Sequence, residues 1–537
     1  MDKEKSSSFI KNAVILSAAG IISRMIGAVY RIPLYRLISN EGIGLYQMGY
    51  YVYNVLLALS ATGIPVAISK LVAEEISKDR MGEAKRVFKV ATTLLTSIGL
   101  VVSIGMILAA PFISSKLIKE PRALYPLIAV APAIVIVALQ ASYRGFFQGL
   151  QKMWPTAISQ LLEQIGRVIT VLILAYYLVS INAPVEHTAA GASFGAVAGS
   201  FVGLGAVIFI YFKQKKYIDN LTLKYPGVSN RSNKQLVKRI LQFSIPITLG
   251  AMIIPVMNGI DTFLVPRRLQ AAGFAVAKAT EMYGDLTGAA IPLINLPSML
   301  AAALATSLVP TISHASSLGM WSVVKSRAGL AIKIILIIGI PSAFGLSILS
   351  KQIVLLLYGS TSAASILQVV AFAVIFLTLH QTCTGILQGL GQAKIPVKNL
   401  IIGGIAKVIL NIILTGIPAI NIHGAAIASI AAYGIAATLN IRAVSRYSGY
   451  QIDWANTVIK PVFAAVIMSV FAKVIVFALG TLRYGNVFIT SVSVGVAVII
   501  YGLVLMFSKV FSKEEYLMIP FIGEKTVDIV SKLRMLR

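Results

Sequence analysis

Apolar runs of about 20 residues alternate with short polar stretches along nearly the whole chain. A helix rising 1.5 Å per residue needs about that many residues to cross ~30 Å of hydrocarbon. Read by this rule, the chain predicts fourteen spanning helices. They lie near residues 12–36, 43–71, 90–113, 124–148, 155–180, 189–212, 240–266, 286–312, 328–350, 364–388, 396–418, 423–441, 457–481 and 485–508. Pro65, Pro132, Pro246, Pro255, Pro292, Pro297 and Pro341 fall inside these spans. Proline is tolerated there because neighbouring helices re-satisfy the carbonyls it frees. The fold class is therefore all-α integral membrane, with about fourteen transmembrane helices.

The pattern also repeats. Arg144-Gly145-Phe146-Phe147-Gln148-Gly149-Leu150 recurs as Thr384-Gly385-Ile386-Leu387-Gln388-Gly389-Leu390. In each copy a proline follows (Pro155, Pro396), then a helix with a basic residue in its apolar middle (Arg167, Lys407), then a Gly/Ala/Ser-rich span. Weaker matches set Ala67-Ile68-Ser69 against Thr311-Ile312-Ser313, and Pro33…Arg36 against Pro266…Arg268. The offset is about 230–245 residues, or six spans. Six is even, so both copies cross the membrane in the same sense, a parallel repeat about an axis along the membrane normal. This predicts an N-terminal lobe over residues 1–225, a C-terminal lobe over 226–450, a last helix pair over 451–510 and a tail over 511–537. A substrate path between the lobes, opened alternately to either side, follows from such a repeat.

Composition agrees with a polytopic protein: 57% of residues are hydrophobic, 12% are charged, and the mean hydropathy is +0.84. The single cysteine, Cys383, excludes a disulfide framework and a cysteine-based metal site. The apolar run after the polar N-terminus is too long for a signal-peptide core, so it is expected to be retained. The net charge of +28 sits in short loops between the spans, which points to an anionic membrane surface rather than nucleic acid. With the N-terminus inside, cytoplasmic segments hold about 30 of the 47 Lys and Arg residues and external segments about 9. Both termini are then cytoplasmic. Ile522, Val530 and Leu533 set against Lys525, Asp528, Lys532 and Arg534 make the tail an amphipathic surface helix or a solubilising charged end.

Charged residues within spans are the candidate chemistry, since an arginine at the bilayer centre costs roughly 2.5–3.5 kcal/mol on insertion scales. Arg24 and Arg31 stand seven positions apart on one stripe of the first span, with Ser17 above them. They suit a wet cavity, an acidic partner or an anionic ligand; snorkelling to headgroups is the bland alternative, stronger for Arg31. Asp261, near Asn258 in the seventh span, would pair with an arginine, carry a proton or cation, or form a static ion pair. Glu163 and Arg167 are spaced to neutralise each other within the fifth span, with Gln160 and Gln164 adding a polar face. Lys407, with Asn411 one turn later, is placed to face the path, whereas Lys333 and Lys473 are expected to snorkel. Tyr46, Tyr50, Tyr51 and Tyr53 read first as an interfacial aromatic belt, and alternatively as a surface for sugars or a lipid headgroup. No Walker A loop or H-E-x-x-H occurs, so neither an enzyme nor a cofactor is expected. A coupling ion, H⁺ or Na⁺, is left open.

Ile22-Ser23-Arg24-Met25-Ile26-Gly27, Glu41-Gly42-Ile43-Gly44-Leu45-Tyr46-Gln47 and Gly63-Ile64-Pro65-Val66-Ala67-Ile68-Ser69-Lys70-Leu71 resemble the polysaccharide-export branch of the MOP exporter superfamily. The resemblance is to its SpoVB/YtgP-like group, related to the lipid II flippase MurJ. It implies translocation of an undecaprenyl-pyrophosphate-linked sugar precursor, lipid II first among them, through a cationic cavity. Arg24 matches one cavity arginine of that family and Arg31 falls one position from a second. The family's second-span arginine has no counterpart in Leu57-Ala58-Leu59-Ser60-Ala61-Thr62-Gly63. The last two helices would hold the lipid tail. Lipid-linked oligosaccharide and anionic lipids are the implied partners, and a monomer is expected. Two other classes stay open: a cation-coupled multidrug antiporter, which would favour an acidic cavity, and a non-transporting scaffold for envelope or spore-cortex assembly, in which intramembrane charge would be dispensable.

Overall fold

The structure, a computed structural model, describes residues 16, 18–23, 25–229 and 231–510. Arg24, Ser17 and the expected tail helix lie outside the described residues. The described residues form helices joined by turns and short irregular segments, with no strand among them beyond an isolated bridge between Arg80 and Pro226.

The first apolar stretch runs from Ala18 to Ile76, 59 residues, and includes α1 (Arg31–Ala61) and α2 (Gly63–Ile76). A straight helix of that length would extend about 88 Å, far more than one crossing needs. The chain instead breaks at Ser39, with φ 62° and ψ 170°. Ser39 Oγ accepts a long 3.5 Å hydrogen bond from Gly42 N, as an N-cap residue does where a helix restarts. The first span ends here and the second begins. Then follow α3 (Met81–Phe112), the broken fourth span α4 (Leu124–Val130) with α5 (Pro132–Gly149), α6 (Trp154–Ser180), α7 (Val185–Lys224), α8 (Asn233–Ala271) and α9 (Val276–Gly284). After these come α10 (Ile291–Ser317), α11 (Trp321–Ile348), α12 (Ser350–Tyr358), α13 (Ala364–Val370), α14 (Ala373–Gly389), α15 (Lys394–Leu414), α16 (Ile422–Ser448), α17 (Lys460–Thr481) and α18 (Asn486–Phe507).

Among the described residues twelve helices are long and apolar enough to cross a membrane, or thirteen when the bent pair α13 and α14 counts as one span. The break at Ser39 turns the first of these into two crossings, which brings the count to the fourteen read from sequence.

The chain divides into two compact units, Met1–Gly284 and Asp285–Arg537. The lobe boundary expected near residue 225 concerns where the repeat restarts. The units divide later because α8 packs along α1 and α2. In the first unit Phe88, Phe146, Leu71, Val87 and Ile240 lie in one buried cluster. In the second, Ile335, Ile386, Leu387 and Met468 do the same, and Tyr501 of α18 donates to the Ile337 carbonyl at 2.9 Å.

The sequence repeat is a repeat of packing, at a constant offset of 240. The broken spans end at Val130 and Val370, then at Gly149 and Gly389. A Cβ on Gly145 would lie 2.7 Å from the Pro65 carbonyl oxygen, and one on Gly385 would lie 2.6 Å from that of Ala305. A Cβ on Gly149 would meet Val72 and the Ser69 carbonyl; one on Gly389 would meet Ile312 and the Val309 carbonyl. These glycines are required because a neighbouring backbone occupies the space of a side chain. Ser69 therefore corresponds to Val309. The sequence pairing of Ala67-Ile68-Ser69 with Thr311-Ile312-Ser313 is one helical turn out of register.

Candidate cationic site

Glu163 is positioned by the crossing of α6 and α7, where α7 presents Gly195, Gly199 and Gly203 on one stripe. A Cβ on Gly199 would stand 2.6 Å from the Glu163 carbonyl oxygen, and one on Gly203 would stand 2.8 Å from Glu163 Cβ. With the backbones this close, the carboxylate has little open space and is met from two sides. Arg167 Nη2 donates to Oε1 at 3.0 Å from one turn along α6, and Arg144 Nη2 of α5 donates to Oε2 at 2.9 Å. Arg144 also donates to Ser159 Oγ at 2.9 and 3.1 Å, as does Gln140 Nε2 at 3.0 Å, while Ser159 donates to the Gly203 carbonyl at 2.8 Å. The expected Glu163–Arg167 pair is thus present but is not self-neutralising. Two guanidiniums share one carboxylate.

Arg167 and Arg31 are linked through tyrosines. Tyr30, Tyr50 and Tyr53 lie near Arg167, and Tyr30, Tyr46, Tyr50 and Tyr51 lie near Arg31. The Arg31 guanidinium carbon lies 5.8 Å from the Tyr50 ring centroid, within cation–π range. Tyr50 stacks on Tyr46 at 5.7 Å and tilts against Tyr53 at 6.0 Å, and the Tyr30 and Tyr46 hydroxyls are 2.9 Å apart. Tyr46 and Tyr53 are 3% and 1% exposed. The interfacial-belt reading is therefore corrected. These rings line the protein interior, where their faces and hydroxyls stabilise guanidinium groups that hydrocarbon would reject.

Both arginines retain donor capacity. The Nε atoms of Arg31 and Arg167 are buried without a hydrogen-bond partner among the described residues, and no carboxylate there forms an ion pair with Arg31. Gln160 Oε1 and Tyr53 Oη are buried and unpartnered as well. Gln164 holds the first span in place by donating to the Ser23 carbonyl at 3.2 Å, so it acts as a helix tie rather than a cavity wall. The arrangement offers two cations about one tyrosine, each with N–H groups to spare, which suits an oxygen-rich anion.

The remaining candidates are distributed as follows. Asp261 on α8 belongs to the first compact unit, is 2% exposed and is engaged by neighbouring groups. Asn258 is half-buried one turn earlier. A Cβ on Gly259 between them would lie 3.0 Å from Val55 of α1, which sets this level of α8 beside the tyrosine-bearing helix. Lys407 and Asn411 are buried in the second unit, where Asn411 Oδ1 accepts from Thr415 Oγ1 at 2.7 Å. Lys333 is 5% exposed and engaged, so the snorkelling expectation is corrected: its position faces the α11 packing interface rather than lipid. Sequence reasoning missed Arg144 as a site residue. Its signal was a basic residue inside the fourth span, where the repeat carries Thr384.

The family model "Polysaccharide biosynthesis protein" matches residues 9–316, more than half the chain, and the "MatE" model matches residues 285–414. Stage V sporulation protein B of Bacillus subtilis (strain 168) is 31% identical over 518 residues, covering 96% of this chain and 98% of the relative. The chain belongs to the polysaccharide-export branch of the MOP exporter superfamily. The protein named lipid II flippase MurJ in the same organism is 29% identical over 494 residues, covering 88% of this chain and 90% of that one. Among solved structures, a lipid II flippase MurJ in an inward closed conformation superposes with a TM-score of 0.65 at 17% identity, over 91% of this chain and 98% of its own. The fold of this multi-pass membrane protein is that of the superfamily's transporters and flippases.

Proposed function

We propose that the protein is an alternating-access flippase carrying an undecaprenyl-pyrophosphate-linked cell-wall precursor, lipid II first among them, from the inner to the outer leaflet. The observation that carries this reading is the surplus of guanidinium over carboxylate in a buried, tyrosine-lined site: Arg31, Arg144 and Arg167 against Glu163 and, on the flank, Asp261. A diphosphate needs cationic donors in a partly dry environment, and the planar guanidinium fork binds its oxygens in pairs. A pump for cationic drugs would call for the opposite polarity. In this proposal Arg31 and Arg167 contact the diphosphate, joined by Arg24 on the strength of the family resemblance. Glu163 and Arg144 hold Arg167 in place, Asn258 and Asp261 form the polar flank, and Lys407 is the second unit's cation. Residues 1–225 and 226–450 act as the lobes, residues 451–510 take the polyprenyl tail, and the Lys/Arg-rich face is cytoplasmic.

The test is the exposure of lipid II to an impermeant probe at the outer leaflet of cells depleted of other flippases. Arg31→Gln and Arg167→Gln are each expected to lower export about 10- to 100-fold, the loss of charge-assisted hydrogen bonds worth roughly 1.5–3 kcal/mol. Export at the wild-type level by both variants, at equal membrane abundance, would sink the assignment.

A further inference from the structure

The Lys/Arg-rich end of α3 has features that the transport site does not use. Two cavities flank the helix there. One, of about 460 Å³, is lined by Lys85, Phe88, Lys89, Thr92, Tyr143 and Tyr211 among others. The other, of about 550 Å³, shares Arg86, Lys89 and Thr93 with the first and continues along Val90, Leu94 and Val237. Lys89 is thus part of the wall between them. Phe88, Tyr143 and Tyr211 form a mutually packed triangle, with centroid separations of 5.1, 5.7 and 5.4 Å.

The three cations differ in how they are engaged. Lys85 is bound to Asp219 at 2.6 Å. Arg86 donates to Asn233 Oδ1 at 2.8 and 3.2 Å and stands 3.7 Å from the buried Glu83. The Lys89 ammonium forms no ion pair or hydrogen bond with the described residues, and the Tyr143 and Tyr211 hydroxyls form no hydrogen bond with them. Position matters too. From Val90 to Phe112 the helix carries no charge, about 23 residues or ~34 Å, enough to cross the hydrocarbon. Lys89 is the last charged residue before that run, so it stands at the depth of the phospholipid phosphates.

We propose that this end of α3 binds an anionic glycerophospholipid of the surrounding leaflet. The phosphate lies at Lys89, with Lys85 and Arg86 flanking it. The tyrosine hydroxyls meet headgroup or ester oxygens, and an acyl chain runs along Val90, Leu94 and Val237. The apolar half of the second cavity decides between sources, because a soluble anion has no use for it.

The experiment uses the full chain in nanodiscs of phosphatidylcholine with phosphatidylglycerol, and native mass spectrometry reads the phosphatidylglycerol retained per protein. Lys89→Gln should lower retention about fivefold, the contribution of one lysine near an anionic surface. Lys394→Gln, which removes an exposed lysine that lines neither cavity, should leave retention unchanged. Thermal midpoints of both variants should match the wild type. The proposal is overturned by wild-type retention in Lys89→Gln, by an equal loss in Lys394→Gln, or by full displacement of the lipid with millimolar inorganic phosphate, which would make the site one for a soluble anion.

Discussion

Replacing Glu163 by glutamine keeps the side-chain shape and removes the one negative charge shared by Arg144 and Arg167. At the observed contacts of 2.9 and 3.0 Å the charge centres are about 4 Å apart. Each attraction is then roughly 4 kcal/mol at an effective dielectric near 20. Its loss is offset in part by the desolvation no longer imposed on the carboxylate, and breaking such a buried pair costs about 3–5 kcal/mol net. The two guanidiniums are also left facing each other without a counter-ion. Arg144→Gln is different. It leaves Glu163 paired one-to-one with Arg167 and should cost about 1–2 kcal/mol, from the lost bonds to Ser159 and Glu163. The double variant should therefore be more stable than the sum of the singles, by at least ~1 kcal/mol, because one of the orphaned cations has gone. Thermal unfolding of the purified protein, followed by size-exclusion fluorescence, measures all three. Additive midpoints, or a Glu163→Gln cost no greater than that of Arg144→Gln, would refute the shared-carboxylate reasoning.

Two further outcomes follow from the packing. Gly145→Ala and Gly385→Ala each press a methyl group onto a backbone carbonyl, at 2.7 and 2.6 Å, so each should cost about 1–3 kcal/mol; a silent change at either position in the same thermal assay would deny that the two units pack alike. The fully buried Glu75 accepts Arg231 at 2.9 Å and Arg239 at 3.3 Å, holding the segment between α7 and α8 against the end of α2. Glu75→Gln should speed tryptic cleavage at Arg231 several-fold, and an unchanged rate would show that this ion cluster does not restrain the segment.

The span count was legible because hydrocarbon thickness fixes helix length, and the repeat was legible because close backbone contacts demand glycine at fixed intervals. Which face of a span meets lipid was not. In a soluble helix the polar face marks water, whereas nearly every face of these helices is apolar, so periodicity carries little information. Tyr46 and Tyr53 show the difficulty: an amphipathic ring suits a headgroup and a buried guanidinium equally well. Lys333 has enough reach to snorkel, and only its packing shows that it does not. Arg144 and Glu163 are 19 residues apart and meet through the crossing of α5 and α6, which no local spacing encodes. The one-turn slip between Ser69 and Val309 arose from matching residue types where the common feature is the backbone approached by Gly149 and Gly389.

The two units share a scaffold but differ in where its small residues stand, and this accounts for the carboxylate-bridged arginine pair being in the first. At the 240 offset, Gln140, Arg144, Ser159, Glu163 and Arg167 correspond to His380, Thr384, Asn399, Gly403 and Lys407. In the first unit the glycines at the helix crossing are on α7, and Gly199 and Gly203 leave room for Glu163 on α6. In the second the glycine has changed sides: a Cβ on Gly403 of α15 would run into the Ala432 carbonyl of α16. Across the same crossing α16 carries Asn440, which takes the place that Gly203 has beside Gln140 and Ser159 in the first unit, since it meets their counterparts His380 and Asn399. Asn440 then fills the crossing with a neutral network, accepting from Asn399 Nδ2 at 2.8 Å and lying 3.0 Å from His380 Nδ1. No carboxylate fits at that level of α15 without driving the helices apart. Moving a few methylene groups from one helix to its neighbour therefore decides which unit admits a carboxylate at this crossing, and with it the paired arginines beside the tyrosines of α1.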